Sequence, residues 1–173
     1  MERELFRVGG SVGLCCGIGP VEGALMTAEA LARERYSAVL HVGIAGAVNL
    51  SPGTVVLGSE AIFCDLLDPQ STSPRVARLT ADPDLIGRAR AAMPNAPALA
   101  IATSARVGGG AGYEVEAMEG FGVLRAAGMA GVPALEMRAI SNSVSNPDRS
   151  TWRIDAALEA LEAAVAQLVP RLR

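Results

Sequence analysis

The chain has 173 residues, enough for one domain that buries roughly two-thirds of its unfolded surface, so it needs neither disulfides nor metal to fold. A formal charge of -3 and a pI near 5.2 offer no basic surface to a polyphosphate backbone, which excludes nucleic acid as the expected partner. Half of the residues are apolar but only 3% are aromatic, so a core of Ala, Val, Leu and Ile in packed helix-on-sheet layers is expected.

The start, Met1-Glu2-Arg3-Glu4, is mixed in charge and lacks the apolar stretch of a signal peptide. No apolar run reaches the roughly 18 residues of a membrane span. A cytoplasmic protein with no membrane partner is expected. Cys15 and Cys16 are adjacent and Cys64 stands alone, so they form neither a CxxC pair nor an even set, and they read as reduced, buried small groups. A single histidine, His41, leaves zinc poorly supplied with ligands, and no metal or cofactor is expected.

Val12–Cys16 reads as a strand that runs into Gly17-Ile18-Gly19-Pro20, with Pro20 suited to the first turn of a helix. Val21, Ala24, Leu25, Ala28 and Leu31 then recur at helical spacing. Strands are predicted over Ala38–Val42, opening into Gly43-Ile44-Ala45-Gly46-Ala47, and over Thr54–Ile62 after the Pro52-Gly53 turn. Asp65–Arg75 reads as loop, Pro83–Met93 as helix and Ala98–Thr103 as strand. Gly108-Gly109-Gly110 leads to a predicted helix from about Tyr113 to Ala127, and Ala134–Ile140 follows as strand with a polar loop over Ser141–Ser150. Ile154, Leu158, Leu161, Val165 and Leu168 mark one face of a last helix that Pro170 ends. The alternation predicts a single α/β domain spanning 1–173, a mixed and largely parallel sheet flanked by helices.

Polar and glycine-rich stretches gather at the strand ends, where open α/β sheets keep their ligands. The glycines Gly17, Gly19 and Gly23 are spaced G-x-G-x-x-x-G and miss the dinucleotide fingerprint, so this turn either only packs or lets its backbone approach a ligand. Ile44, Ala45 and Gly46 are small or apolar residues that let a flat ligand come close to the backbone. Met118-Glu119 puts a carboxylate in an otherwise apolar helix, where it is solvent-facing, paired or functional. Arg138-Ala139-Ile140-Ser141-Asn142 sets polar groups at the end of an apolar strand, as turn formers or as ligand contacts.

Taken in order, Cys16-Gly17-Ile18-Gly19-Pro20-Val21, Val42-Gly43-Ile44-Ala45-Gly46-Ala47, Gly53-Thr54-Val55-Val56, Val115-Glu116-Ala117-Met118-Glu119-Gly120 and Arg138-Ala139-Ile140-Ser141-Asn142 resemble the motifs of the purine-nucleoside phosphorylase and nucleosidase family, over most of the chain. The resemblance implies that Met118 packs on a ribose face, that Glu119 accepts hydrogen bonds from two ribose hydroxyls, and that Asn142 addresses N7 of the departing purine. An amide donates to N7 or O6 of a 6-oxopurine without repelling its carbonyl.

With Met118-Glu119-Gly120, Ile140-Ser141-Asn142 and Asp148-Arg149-Ser150-Thr151-Trp152, the likeness extends to the futalosine hydrolase branch, which releases hypoxanthine. Arg149 then either meets an acidic group of the substrate or is a salt-bridged loop arginine, and Trp152 is a packing residue. The family's phosphate-holding arginine and serine fall on His41 and Ile44, which implies water as the acceptor and leaves His41 as a satisfied strand-end imidazole.

The family's first strand, which supplies an acidic group to the attacking water, is missing ahead of Val12, and Glu2 and Glu4 do not replace it. No catalytic base is assigned. The alternatives are a purine nucleoside phosphorylase, a methylthioadenosine or S-adenosylhomocysteine nucleosidase, or a non-catalytic nucleoside-binding or oligomerisation subunit. A homo-oligomer is the expected assembly.

Overall fold

The computed structural model describes residues 5–8, 11–66, 72 and 75–172. Glu2, Glu4 and part of the predicted loop from Asp65 to Arg75 lie outside the described residues.

Strand β1 (Leu5–Val8) and strand β2 (Ser11–Leu14) form an antiparallel hairpin of their own. Helix α1 (Pro20–Arg33) follows, with Pro20 in its first turn and Gly19 ahead of it at φ 91°. That left-handed angle suits glycine, because a Cβ there is crowded by the backbone.

Six further strands make one sheet: β3 (Val39–Ala47), β4 (Val55–Phe63), β5 (Arg78–Thr80), β6 (Ala98–Thr103), β7 (Val115–Ala117) and β8 (Ala134–Ser143). Their order is β5-β4-β6-β7-β3-β8, and a further β4–β8 pairing closes five of them into a ring. The long ladders, β3 with β8 and β4 with β6, are parallel, whereas β4–β8, β4–β5 and β3–β7 are antiparallel. The sheet is thus mixed, as expected, but closed. One apolar cluster (Ala45, Ala47, Val56, Ile101, Val115, Ala117 and Ile140) draws on all five ring strands. Its small side chains fit the narrow space a five-stranded ring encloses, which accounts for a core poor in aromatics.

Helix α2 (Pro83–Ala92) and helix α4 (Ile154–Leu168) cover one side of the sheet through Leu85, Leu161 and Leu168 on Leu57, Leu135 and Met137. Asp82 caps α2, accepting from the backbone N–H groups of Asp84 and Leu85. Helix α3 (Gly120–Met129) packs on α1 and sets Phe121, Leu124 and Ala127 against Ala61 and Ala134. The two helices cross closely: a Cβ on Gly122 would lie 2.2 Å from the Pro20 carbonyl oxygen.

Four expectations need correction. Val115–Ala117 is a strand and the helix begins at Gly120, because β3 and β6 pair with the backbone that composition alone assigns to a helix. Strand β3 continues to Ala47 and β8 to Ser143, so Ile44–Gly46 and Ser141–Asn142 are parts of strands rather than turns. On α1, Val21 and Leu25 are exposed and the buried positions are Gly23 and Thr27. Cys64 is buried as expected, but Cys15 is exposed and Cys16 only half-buried.

Candidate functional site

The site grows from the pairing of β3 with β7 and β8. Gly46 stands opposite Glu116 of β7 on one side and Asn142 of β8 on the other. A Cβ at Gly46 would lie 3.2 Å from Asn142 Nδ2 and 3.5 Å from Glu116 Cγ, so hydrogen at this position keeps the two side chains close.

Asn142 is buried, and its orientation is set locally. Ser141 Oγ donates to its Oδ1 at 2.8 Å, and its Nδ2 donates to the Ser143 carbonyl at 3.0 Å. An amide nitrogen carries two hydrogens, so one donor is left for a ligand. Ser141 also reaches the Ala45 carbonyl, at 3.2 Å, which ties the end of β8 to β3.

Met118 and Glu119 lie at the junction of β7 and α3, not within a helix as the sequence predicts, and both are half-buried. Each oxygen of Glu119 is engaged. Oε1 accepts from the Gly19 backbone N–H at 3.1 Å, and Oε2 accepts from Arg138 Nη2 at 3.2 Å. The left-handed turn at Gly19 aims that N–H at the carboxylate, which is the use this glycine turn has here.

Arg138 is 3% exposed in the middle of β8. Its Nε donates to Glu136 Oε1 at 2.7 Å, Nη1 to the Ile44 carbonyl at 3.3 Å, and Nη2 also contacts Nε2 of His41. Burial lowers the guanidinium pKa, yet Glu136 and Glu119 outweigh it and the net shift is upward. Burial pushes the Glu136 carboxyl up and holds His41 well below its ordinary 6.5, aided there by the Arg138 charge. Burial, followed by the Glu119 charge, also raises the nearby Cys16 thiol, which disfavours a thiolate at this site.

A second buried carboxylate, Glu116, holds the triple-glycine loop by accepting from the Gly108 N–H at 2.8 Å and the Gly110 N–H at 3.0 Å. Sequence reading singled out neither Glu116, Glu136 nor the role of Arg138. The available signal was charge in the wrong place: Glu136 and Arg138 interrupt an otherwise apolar strand, and such groups need partners.

His41 is buried inside β3 rather than at a strand end, and Ile44 presents its backbone carbonyl to Arg138. Arg149 stands apart from this cluster. It is exposed in a short 3-10 turn over Arg149–Thr151, with its guanidinium 5.5 Å from the centre of the Trp152 ring. Trp152 is half-buried and donates through its ring nitrogen to the Asn146 carbonyl at 3.3 Å.

Two open grooves, one between α2 and α4 and one beside Tyr36 and Val132, touch none of Glu119, Arg138 and Asn142. Among the described residues, no three His, Cys, Asp or Glu side chains gather as metal ligands would, and no helix is long and apolar enough to cross a membrane.

The Phosphorylase superfamily model matches residues 6–172. The chain is 37% identical to a futalosine hydrolase of Streptomyces coelicolor, over 92% of this chain and 78% of that one. It is 31% identical to a futalosine hydrolase of Thermus thermophilus, over 92% and 81%. Its fold matches the native structure of futalosine hydrolase of Helicobacter pylori at TM-score 0.78, 19% identity and coverage of 99% and 87%. It also matches S-adenosylhomocysteine nucleosidase from Streptococcus pyogenes in complex with 5-methylthiotubericidin at 0.84, 18%, and 100% and 89%. The chain belongs to the phosphorylase superfamily, among its futalosine hydrolase relatives.

Proposed function

We propose that this chain is a nucleosidase that hydrolyses the N-glycosidic bond of futalosine, releasing hypoxanthine as a step toward menaquinone, and that it acts as one domain in the cytoplasm. Glu119 accepts the ribose hydroxyls, Met118 packs on the sugar, and the backbone from Ile44 to Gly46 lies along the nucleoside. The free N–H of Asn142 donates to N7 or O6 of the base. As the glycosidic bond breaks, electron density moves to the purine and a donor there lowers the barrier. Arg149, exposed with its guanidinium over the Trp152 ring, takes an acidic group carried on the ribose.

The observation that carries hydrolysis over phosphorolysis is the state of His41. It is buried with Nε2 against Arg138, while Ile44 offers no hydroxyl. Ile18, Val21 and Leu25 are 78%, 67% and 61% exposed along one side of α1 and its approach, which supports a homo-oligomer.

The test is chromatographic. Incubation with futalosine should release hypoxanthine at the same rate with and without phosphate. Release that requires phosphate would place the chain with the phosphorylases, and binding without release would make it a non-catalytic subunit.

A further inference from the structure

We infer that Glu136, Arg138 and His41 form a buried brace of positioning residues that fixes the Glu119 carboxylate before a nucleoside arrives, with the His41 imidazole as an acceptor. The role of Glu119 at the sugar rests on the nucleosidase reading, whereas the brace itself rests on geometry.

Arginine is a donor only, so whatever lies against its nitrogens accepts. Around Arg138 stand four acceptors: Glu136 Oε1 on Nε, the Ile44 carbonyl on Nη1, and Glu119 Oε2 with His41 Nε2 on Nη2. The planar guanidinium serves all four, which a lysine ammonium at the end of a flexible stem does not. Nε2 of His41 therefore carries its lone pair, and the ring hydrogen is on Nδ1. A proton on Nε2 would set one donor against another, and a doubly protonated ring would also set one cation against another, in a buried site.

Two motif glycines make room for the brace. A Cβ on Gly43 would lie 2.2 Å from Arg138 Nη1, and one on Gly120 would lie 2.0 Å from Glu136 Oε2. Glu136 Oε2 is also the buried side-chain atom left without a hydrogen-bond partner among the described residues. With Oε1 of Glu119 on the Gly19 N–H and Oε2 on Arg138, the carboxylate is held at both oxygens. Its remaining lone pairs are directed before binding, so ordering it need not be done by substrate.

His41 is the sole histidine, so its ring signals in nitrogen-15 NMR need no assignment. The charged group that meets it is Arg138, and around Arg138 in turn stand Glu136 of β8, Glu119 at the β7–α3 junction and Cys16 ahead of α1. The expected wild-type spectrum shows the neutral Nδ1–H form well below pH 6.5, the ordinary midpoint of the group. Titration near that midpoint, or the Nε2–H form, overturns the brace.

Kinetics supply the second arm. His41→Leu should lower kcat/KM for futalosine by about 10²-fold, as misplacement of a reacting contact does. His41→Gln, whose side-chain oxygen can accept from Arg138, should recover most of it. Binding of free hypoxanthine, which lacks the sugar, should be unchanged in both variants. Equal loss of hypoxanthine affinity, or no rescue by Gln, marks a merely structural residue and refutes positioning. If wild-type protein releases no hypoxanthine, the nucleosidase reading fails while the NMR titration still decides the brace.

Discussion

Gly43→Ala tests the packing around Arg138 most directly. The new Cβ would sit 2.2 Å from Nη1, well inside van der Waals contact, so one of the two must move. A free arginine end would swing aside at little cost. This one is 3% exposed and bonded to Glu136, Ile44, Glu119 and His41, so it has no neighbouring position that keeps those partners. Overpacking of this kind costs about 1–3 kcal/mol. Loosening the pair with Glu136, itself 1% exposed, adds part of the roughly 3–5 kcal/mol lost when a buried pair is broken. A loss near ~3 kcal/mol is expected, which at roughly 2–4 °C per kcal/mol for a chain of this size lowers the melting temperature by about 6–12 °C. The control is Gly87→Ala in α2, where nothing lies within 4 Å of the new Cβ. There the helix should gain about 0.5–1 kcal/mol. Urea denaturation of both variants reads the difference. If Gly43→Ala unfolds within ~0.5 kcal/mol of wild type, the range ordinary surface changes give, the packing argument is wrong.

Asn142→Ala should slow hypoxanthine release by about 10²-fold through loss of the donor to the base. Asn142→Asp should also be slow at neutral pH but recover as pH falls and the carboxyl regains a hydrogen, and a flat pH profile would count against this role. His41 should also mark the stability curve. The folded protein keeps the imidazole neutral while the unfolded chain takes a proton below 6.5, so stability falls with pH by up to about 1.4 kcal/mol per unit. Glu136 acts with the opposite sign, since its raised folded pKa favours the fold as pH falls toward 4.5. Both proteins retain Glu136, so the wild-type slope minus that of His41→Gln isolates the histidine. Glu116→Gln keeps one oxygen for two backbone donors, Gly108 and Gly110, and faster amide exchange at one of them is expected.

Helices α1, α2 and α4 were legible from Pro20 and Pro83 in first turns and from the apolar spacing over Ile154–Leu168 before Pro170, although the buried face of α4 is Ala157, Leu161, Ala164 and Leu168, with Ile154 and Leu158 exposed. Strand β7 was not. Three residues are too few for a period to emerge, and Glu-Ala-Met-Glu favours a helix until β3 and β6 compete for its backbone. The ring closure was hidden by distance in sequence, because β4 pairs with β8 across roughly half the length of the chain, Val55 opposite Ala139. At the site, Glu119 and Asn142 could be found in motifs at element ends. The brace could not, since Arg138 meets His41 and Ile44 across 97 and 94 positions of sequence.

The glycines of Gly43-Ile44-Ala45-Gly46 look alike in sequence, yet they serve different neighbours. Gly46 keeps Asn142 and Glu116 close at the strand end, whereas Gly43 clears space for a guanidinium beneath it. That difference bears on the choice of acceptor. Arg138 is the cation paired with Glu119, and four of its five N–H donors go to two carboxylates, a carbonyl and a neutral imidazole. With both carboxylates ionised, the group carries one net negative charge. An anion brought within about 4 Å of that charge would be repelled by roughly 4 kcal/mol at an effective dielectric near 20. The same charge favours a sugar carbon that becomes cationic as its bond to the base breaks. One electrostatic arrangement thus disfavours phosphate and favours the reacting sugar, and water, which carries no charge, approaches without that penalty.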